Sequence, residues 1–191
     1  MIDIVFPVAN KLGLPVTPYK VKGHKFGKRV RSRIFLWARH LGDDVLLDPN
    51  TSVHAIADGY VVWSETRPGS AQARNWGGIV VIGHRHKDTG EAFYSLYGHI
   101  KNIAVTVGQT VQAGDQVGVV AAGQTPENGW WRIPHVHFSI YAGPWTGRVL
   151  PGYKRPFEGR TKVSWWRNPR PFMREYNQES KLASAATRQQ A

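Results

Sequence analysis

Short runs rich in β-branched and aromatic residues, each closed by a turn signal, set the strongest limit on how this chain folds. Val53–Ala57, Tyr60–Glu65, Ile79–His84, Ala92–Tyr97, Val117–Val120 and Val136–Tyr141 all have strand length and composition. Between them lie Asp58-Gly59, Pro68-Gly69, Asp88-Thr89-Gly90, Gly114-Asp115 and Asn128-Gly129. Strands this short and this regularly spaced predict a mainly β protein, a compact antiparallel sandwich or barrel with little helix. Helical periodicity is expected only over Phe172–Ala186, and the small polar residues from Ala183 to Ala191 read as a frayed end. There is no repeat of fixed period. No apolar run approaches the roughly 18 residues that a transmembrane helix needs.

The chain has 191 residues and no cysteine. That excludes disulfides, thiolate zinc sites and cysteine nucleophiles, leaving His, Asp and Glu as metal donors. Two patterns stand out, His40-Leu41-Gly42-Asp43-Asp44 and His135-Val136-His137, with Tyr97-Gly98-His99 between them. A catalytic zinc takes three His or carboxylate ligands and keeps a position for water, so these donors suit it and leave histidines over for proton handling. His135 and His137, two apart in a strand, share a face about 7 Å apart. His40 and Asp44 would stand roughly 13 Å apart in an extended chain. The backbone must therefore turn between them, and Gly42 is the residue expected to permit it. A second His-x-His, His84-Arg85-His86, runs into the turn Lys87–Gly90 beside cationic neighbours and reads as solvated. His24 and His54 have no partner pattern.

Charge is divided along the chain, whose net value is +12. Residues 1–39 carry nine Lys or Arg and one acid, residues 142–191 carry ten and three, and residues 40–141 carry six and nine. The candidate ligands thus lie in a mildly acidic segment between basic flanks, a pattern suited to a polyanionic surface. Aromatics interleave with the charge, as in Lys162-Val163-Ser164-Trp165-Trp166-Arg167, but no recognisable nucleic-acid module accompanies them. Nucleic acid is therefore disfavoured, and bacterial wall polymers, which are also polyanionic, are the alternative partner for the flanks.

The order of the motifs resembles the lysostaphin or LytM-type peptidoglycan zinc metallopeptidase family. The matching blocks are Phe26-Gly27-Lys28-Arg29, His40 to Asp44, Val53 to Val61, Tyr97-Gly98-His99, Val107 to Gly118, and His135-Val136-His137-Phe138. They divide the chain into a basic N-terminal extension (1–23), a metallopeptidase domain (24–141) and a basic aromatic C-terminal extension (142–191). The resemblance implies a fold related to the hybrid barrel of biotinyl and lipoyl carriers. It implies one Zn2+ held by His40, Asp44 and His137, with His99 and His135 as the catalytic pair. It also implies cleavage of peptidoglycan peptides, either stem cross-links or glycine bridges, by a monomer without a membrane span. The chain departs from the family pattern at Asp43, where an apolar residue is usual; turned inward, Asp43 would rival Asp44 as a ligand.

Three other readings compete with the enzyme: a lapsed relative serving as a wall-binding or amidase-regulating module, a carrier domain, and a nucleic-acid binder. A carrier would need a modified lysine in a tight hairpin, which has no counterpart here. Trp130, Trp131 and Trp145 are candidates for the walls of a substrate groove or for core. The N-terminus has an acid and a proline where a signal peptide would be basic and apolar. Action at the cell wall would then require a phage lysin, an injected effector or a mature form.

Overall fold

The computed structural model describes residues 5–31, 37–156 and 159–178. Thirteen strands run through these residues: β1 (Val8–Ala9), β2 (Arg29–Arg31), β3 (Trp37–His40), β4 (Asp43–Leu46), β5 (Ser52–His54), β6 (Gly59–Arg67), β7 (Gly77–His86), β8 (Ala92–Lys101), β9 (Thr110–Val111), β10 (Gln116–Val120), β11 (His135–Tyr141), β12 (Tyr153–Lys154) and β13 (Trp166–Arg167). One 3-10 turn (Val163–Trp165) and one helix, residues 169–178, follow the long strands. The molecule is mainly antiparallel β, as expected. The helix begins three residues before Phe172, while its expected continuation to Ala186 and the frayed end lie outside the described residues.

Ten strands form one sheet whose spine is β13-β11-β8-β7-β6-β9, with β4 on β11, β5 and β10 on the end of β8, and β1 parallel to β7. The spine is covered on both faces, which is why β7 reads as a continuous apolar run instead of an alternation. Val80 and Ile82 enter one cluster with Tyr97, Ile100, Phe138 and Ile140, while Ile79 and Val81 enter another with Leu96, Tyr141 and Trp166. Each large side chain buried this way contributes about 1.5–3 kcal/mol. The second sheet, β12-β3-β2, is small and stands apart from the spine.

Both ends of the chain contribute to the first cluster. Ala9, Leu12 and Val16 pack there with Met173 and Tyr176 of the helix. Asn177 accepts from the Leu12 amide (2.9 Å) and donates to its carbonyl (2.8 Å), and the Tyr176 hydroxyl donates to the Ala9 carbonyl. No helix among the described residues is long and apolar enough to cross a membrane.

His84 corrects an expectation. It is fully buried, with Nδ1 2.7 Å from the Asp58 carbonyl and Nε2 2.8 Å from Ser95 Oγ. The hairpin tip begins after His86, so His84 still belongs to an interior strand. His86 is half-buried against the Tyr176 ring.

Candidate metal centre

Strands β4 and β11 bring the two histidine motifs together. Their antiparallel register sets His137 opposite Asp44 and Phe138 opposite Asp43. Because side chains alternate along a strand, Asp44 and Asp43 leave the sheet on opposite faces. Asp44 turns to His137, while Asp43 turns inward on the other side. There its carboxylate accepts from Tyr19 Oη (3.0 Å) and from the Phe26 amide (2.9 Å). Asp43 is thus buried and bonded without competing for the same position.

His40 arrives from the end of β3, across the bend at Leu41 and Gly42. Gly42 is required by crowding, not by a left-handed backbone. A Cβ there would stand 2.4 Å from the Phe138 carbonyl, 2.4 Å from Ser139 Oγ and 2.7 Å from His137 Nε2.

Three atoms converge: His40 Nε2 and Asp44 Oδ1 at 3.1 Å, His137 Nδ1 and Asp44 Oδ1 at 3.0 Å, and His40 Nε2 and His137 Nδ1 at 3.0 Å. All three residues are buried. The far nitrogens of both rings are committed, His40 Nδ1–H to the Lys25 carbonyl (3.3 Å) and His137 Nε2–H to Ser139 Oγ (2.7 Å). In the neutral tautomers so fixed, two lone pairs and a carboxylate oxygen face one another. A cation relieves that arrangement. Tetrahedral zinc with bonds of about 2.0–2.1 Å sets its ligand atoms about 3.3 Å apart, so the donor set fits it closely. Burial pushes the Asp44 carboxyl up, yet the adjacent His137 and His40 rings outweigh it and hold the group well below the usual carboxylate range. Burial lowers His137 to about 4, keeping the ring neutral and able to ligate.

His99 and His135 stand beside this trio with ring centroids 4.5 Å apart. His99 is the extra residue of a bulge between β7 and β8, where Gly78 pairs with Ile100 and Ile79 with Gly98. Its φ of +65° lies in the left-handed region, a conformation costing about 1–3 kcal/mol in a non-glycine residue. The bulge re-aims its ring toward the site. His99 Nδ1 donates to the Asn128 carbonyl (3.0 Å) and His135 Nδ1 to the Ile133 carbonyl (2.8 Å), leaving the lone pair of each ring at Nε2. His135 Nε2 lies 3.9 Å from Asp44 Oδ1. Burial, then the neighbouring His135 and His137, lower the His99 pKa strongly.

A cleft of about 280 Å³ opens over the site, lined by His99 and His137 together with Trp76, Trp131 and Tyr153. The Trp76 ring lies 5.4 Å from His99 and 5.0 Å from His137, and the same ring would clash at 2.5 Å with any Cβ on Gly98. Of the three candidate tryptophans, Trp131 lines the cleft, whereas Trp145 packs on Tyr94 and Trp63. Trp130 is not among the lining residues. Sequence reasoning missed Trp76, Tyr153 and Ser139. Only Ser139 had a usable signal, since it follows His135 and His137 at the same spacing of two.

Known proteins place this arrangement in context. The model of peptidase family M23 matches residues 38–149. The murein hydrolase activator EnvC of Escherichia coli is 28% identical over 127 residues, covering 65% of this chain and 27% of its own length. A zinc-containing peptidase from Vibrio cholerae superposes with a TM-score of 0.53 at 23% identity, covering 69% of this chain and 37% of the other. Lysostaphin of Staphylococcus simulans superposes at 0.55 and 23% identity, covering 89% and 56%. The chain therefore spans about a quarter of the EnvC length and just over a third of the Vibrio peptidase.

Proposed function

The chain belongs to peptidase family M23, and from that premise we propose that it is a zinc-dependent endopeptidase hydrolysing peptide bonds in bacterial peptidoglycan at the cell wall. One observation carries the reading: His40 Nε2, Asp44 Oδ1 and His137 Nδ1 converge within 3.1 Å, with both rings' other nitrogens hydrogen-bonded. These three residues would hold the metal. When bound, zinc supplies Lewis acidity toward the scissile carbonyl and toward water.

The chain's own groups do the rest. His99 and His135 each present Nε2, because Nδ1–H is held by a main-chain carbonyl. At one Nε2 the proton of the attacking water is accepted, and from the pair a proton is returned to the departing amine. Burial and the neighbouring His135 and His137 rings disfavour the protonated form of His99, so its Nε2 presents a lone pair. No glutamate of a His-Glu-x-x-His helix takes part, since the sequence has none.

A second reading, a catalytically lapsed module that regulates other wall hydrolases, draws on the likeness to EnvC. One experiment separates the two. Purified protein is assayed for bound metal and for release of cross-linked peptides from sacculi, with and without a chelator. The enzyme reading expects zinc at about one per chain and chelator-sensitive cleavage. His99→Ala should lose about 10²–10⁴-fold in turnover with zinc content unchanged. Full activity in His99→Ala sinks the role of that ring, and metal-bound protein inert on every sacculus supports the regulatory module.

A further inference from the structure

The cleft over the metal centre carries a charge that the ligands do not require. Arg74, Arg155 and Arg160 line it together with His99 and His137, and no acid is among the described residues that line it. This is unexpected in position, because the segment that holds every candidate ligand has more acids than bases. Arg155 and Arg160 come instead from the C-terminal flank, which the sequence motifs leave unassigned.

Arg74 is held in a particular way. Its guanidinium lies over the Trp131 ring, 4.8 Å from the centroid. Stacking fixes the plane of the group while leaving its N–H edge available, and that edge matches a carboxylate with two parallel hydrogen bonds. The cationic surface continues beyond the cleft. Arg155 also lines the neighbouring groove along the small sheet, with Arg29, Trp37 and Arg39. In that sheet Arg39 pairs in direct register with Arg29 on one side and Lys154 on the other. Like charges opposite one another across strands are destabilising, and the row is held by Arg29 stacked over the Trp37 ring and by Lys154 Nζ donating to the Thr161 carbonyl.

We propose that this cleft is built for a peptide bearing free carboxylates beside the bond to be cut, an acidic stem-type peptide and not a neutral glycine bridge. The proposal rests on the endopeptidase reading above and names its substrate class. A glycine bridge offers neither charge nor side chain, so it leaves Arg74 and Arg155 without a counter-ion when it displaces water from the cleft. A stem peptide supplies carboxylates for both. Its backbone then lies across Trp131 and Tyr153, rings stacked on one another in the cleft lining that offer a flat apolar surface.

The test separates binding from cleavage. Cross-linked muropeptides are used in two forms, native and with their carboxylates amidated by carbodiimide coupling to ammonia. Both are titrated against the full zinc-loaded chain carrying His99→Ala, with tryptophan fluorescence as readout. The native form should bind roughly 10- to 100-fold more tightly, as expected for charge-assisted hydrogen bonds. Adding Arg74→Gln or Arg155→Gln should shrink that preference while leaving affinity for the amidated form unchanged, an outcome that a merely structural role of the arginines would not give. Equal binding of the two forms overturns the proposal, as does a preference untouched by either arginine change. Saturable binding to teichoic acid but to neither muropeptide overturns it as well. If the native form binds selectively but the wild-type protein fails to cut it, the carboxylate site stands and the endopeptidase reading falls. If the wild-type protein cuts native, amidated and pentaglycine-bridged substrates with equal kcat/KM, the reverse holds.

Discussion

Two imidazole lone pairs and a carboxylate oxygen, about 3 Å apart in pairs, repel one another until a cation enters, so the residues behind the ligands decide how well that geometry is kept. Ser139 is the clearest case. Its Oγ accepts from His137 Nε2, which fixes the tautomer that leaves Nδ1 for the metal. Ser139→Ala should weaken zinc binding by roughly 10- to 100-fold, read by competition with a chromogenic chelator, while turnover at saturating zinc changes far less. An unaltered zinc Kd would remove Ser139 from the centre. That His40, Asp44 and His137 belong together was marked in the sequence by the resemblance of the ordered motifs, and the structure brings the three side chains within reach of one another. The choice of Asp44 over Asp43 was not forced by spacing; it is carried by alternation along β4 and by the donors that claim Asp43. The bend at Gly42 was legible, but its crowding against Phe138 and Ser139 was not, being a contact across nearly a hundred residues that no local pattern carries.

At the scale of elements, the long strands β6, β7, β8 and β11 were readable from composition because each is sustained over seven residues or more. The strands β2, β3, β9, β12 and β13 run two to four residues. Their stability comes from long-range pairing, so they leave little local signal. The segment from Tyr19 to Lys28 has no strand of its own, yet it braces the candidate metal centre from behind. Its carbonyls at His24 and Lys25 receive the Asp44 amide and the His40 ring, and its Gly27 amide donates to the His40 carbonyl. Asp43 pins that segment through the Phe26 amide and Tyr19 Oη. Burial, reinforced by Asp43, pushes the Tyr19 pKa far up and keeps the hydroxyl a donor at any working pH. Tyr19→Phe leaves a buried carboxylate oxygen without its partner. It should cost about 1–3 kcal/mol in urea unfolding and weaken zinc binding in the same protein. Loss of stability with an unchanged zinc Kd would mean that the segment is a structural brace with no hold on the ligands.

The whole molecule joins its two ends and its charge in one design. Leu12 and Asn177, 165 residues apart, are bonded to each other at both amide and carbonyl, which is why regions that read as extensions also supply core. The flanks bring cationic side chains to the rim of a centre whose own segment is acidic. Stability of so interlocked a fold should respond to acid through groups far from the site, and His84 isolates one. Burial lowers its pKa to about 4 against 6.5 for an exposed imidazole, with its bonds to the Asp58 carbonyl and Ser95 Oγ satisfied in the neutral form. The folded pKa lies below the unfolded one, so between those values the unfolded chain binds more protons and stability falls as pH falls. The contribution is complete above about pH 6.5 and is lost on the way to about pH 4. A difference of two to three pKa units is worth about 3 kcal/mol. His84→Gln keeps a donor and an acceptor in the same place but carries no titrating group. Its stability relative to the wild type, measured by urea unfolding of both zinc-free proteins at intervals from pH 7 to pH 4, should therefore rise by about 3 kcal/mol as pH falls. Comparing the two proteins cancels the contribution of every group they share. A difference that stays constant across the range would mean that His84 is protonated, or absent from the core, in the folded protein.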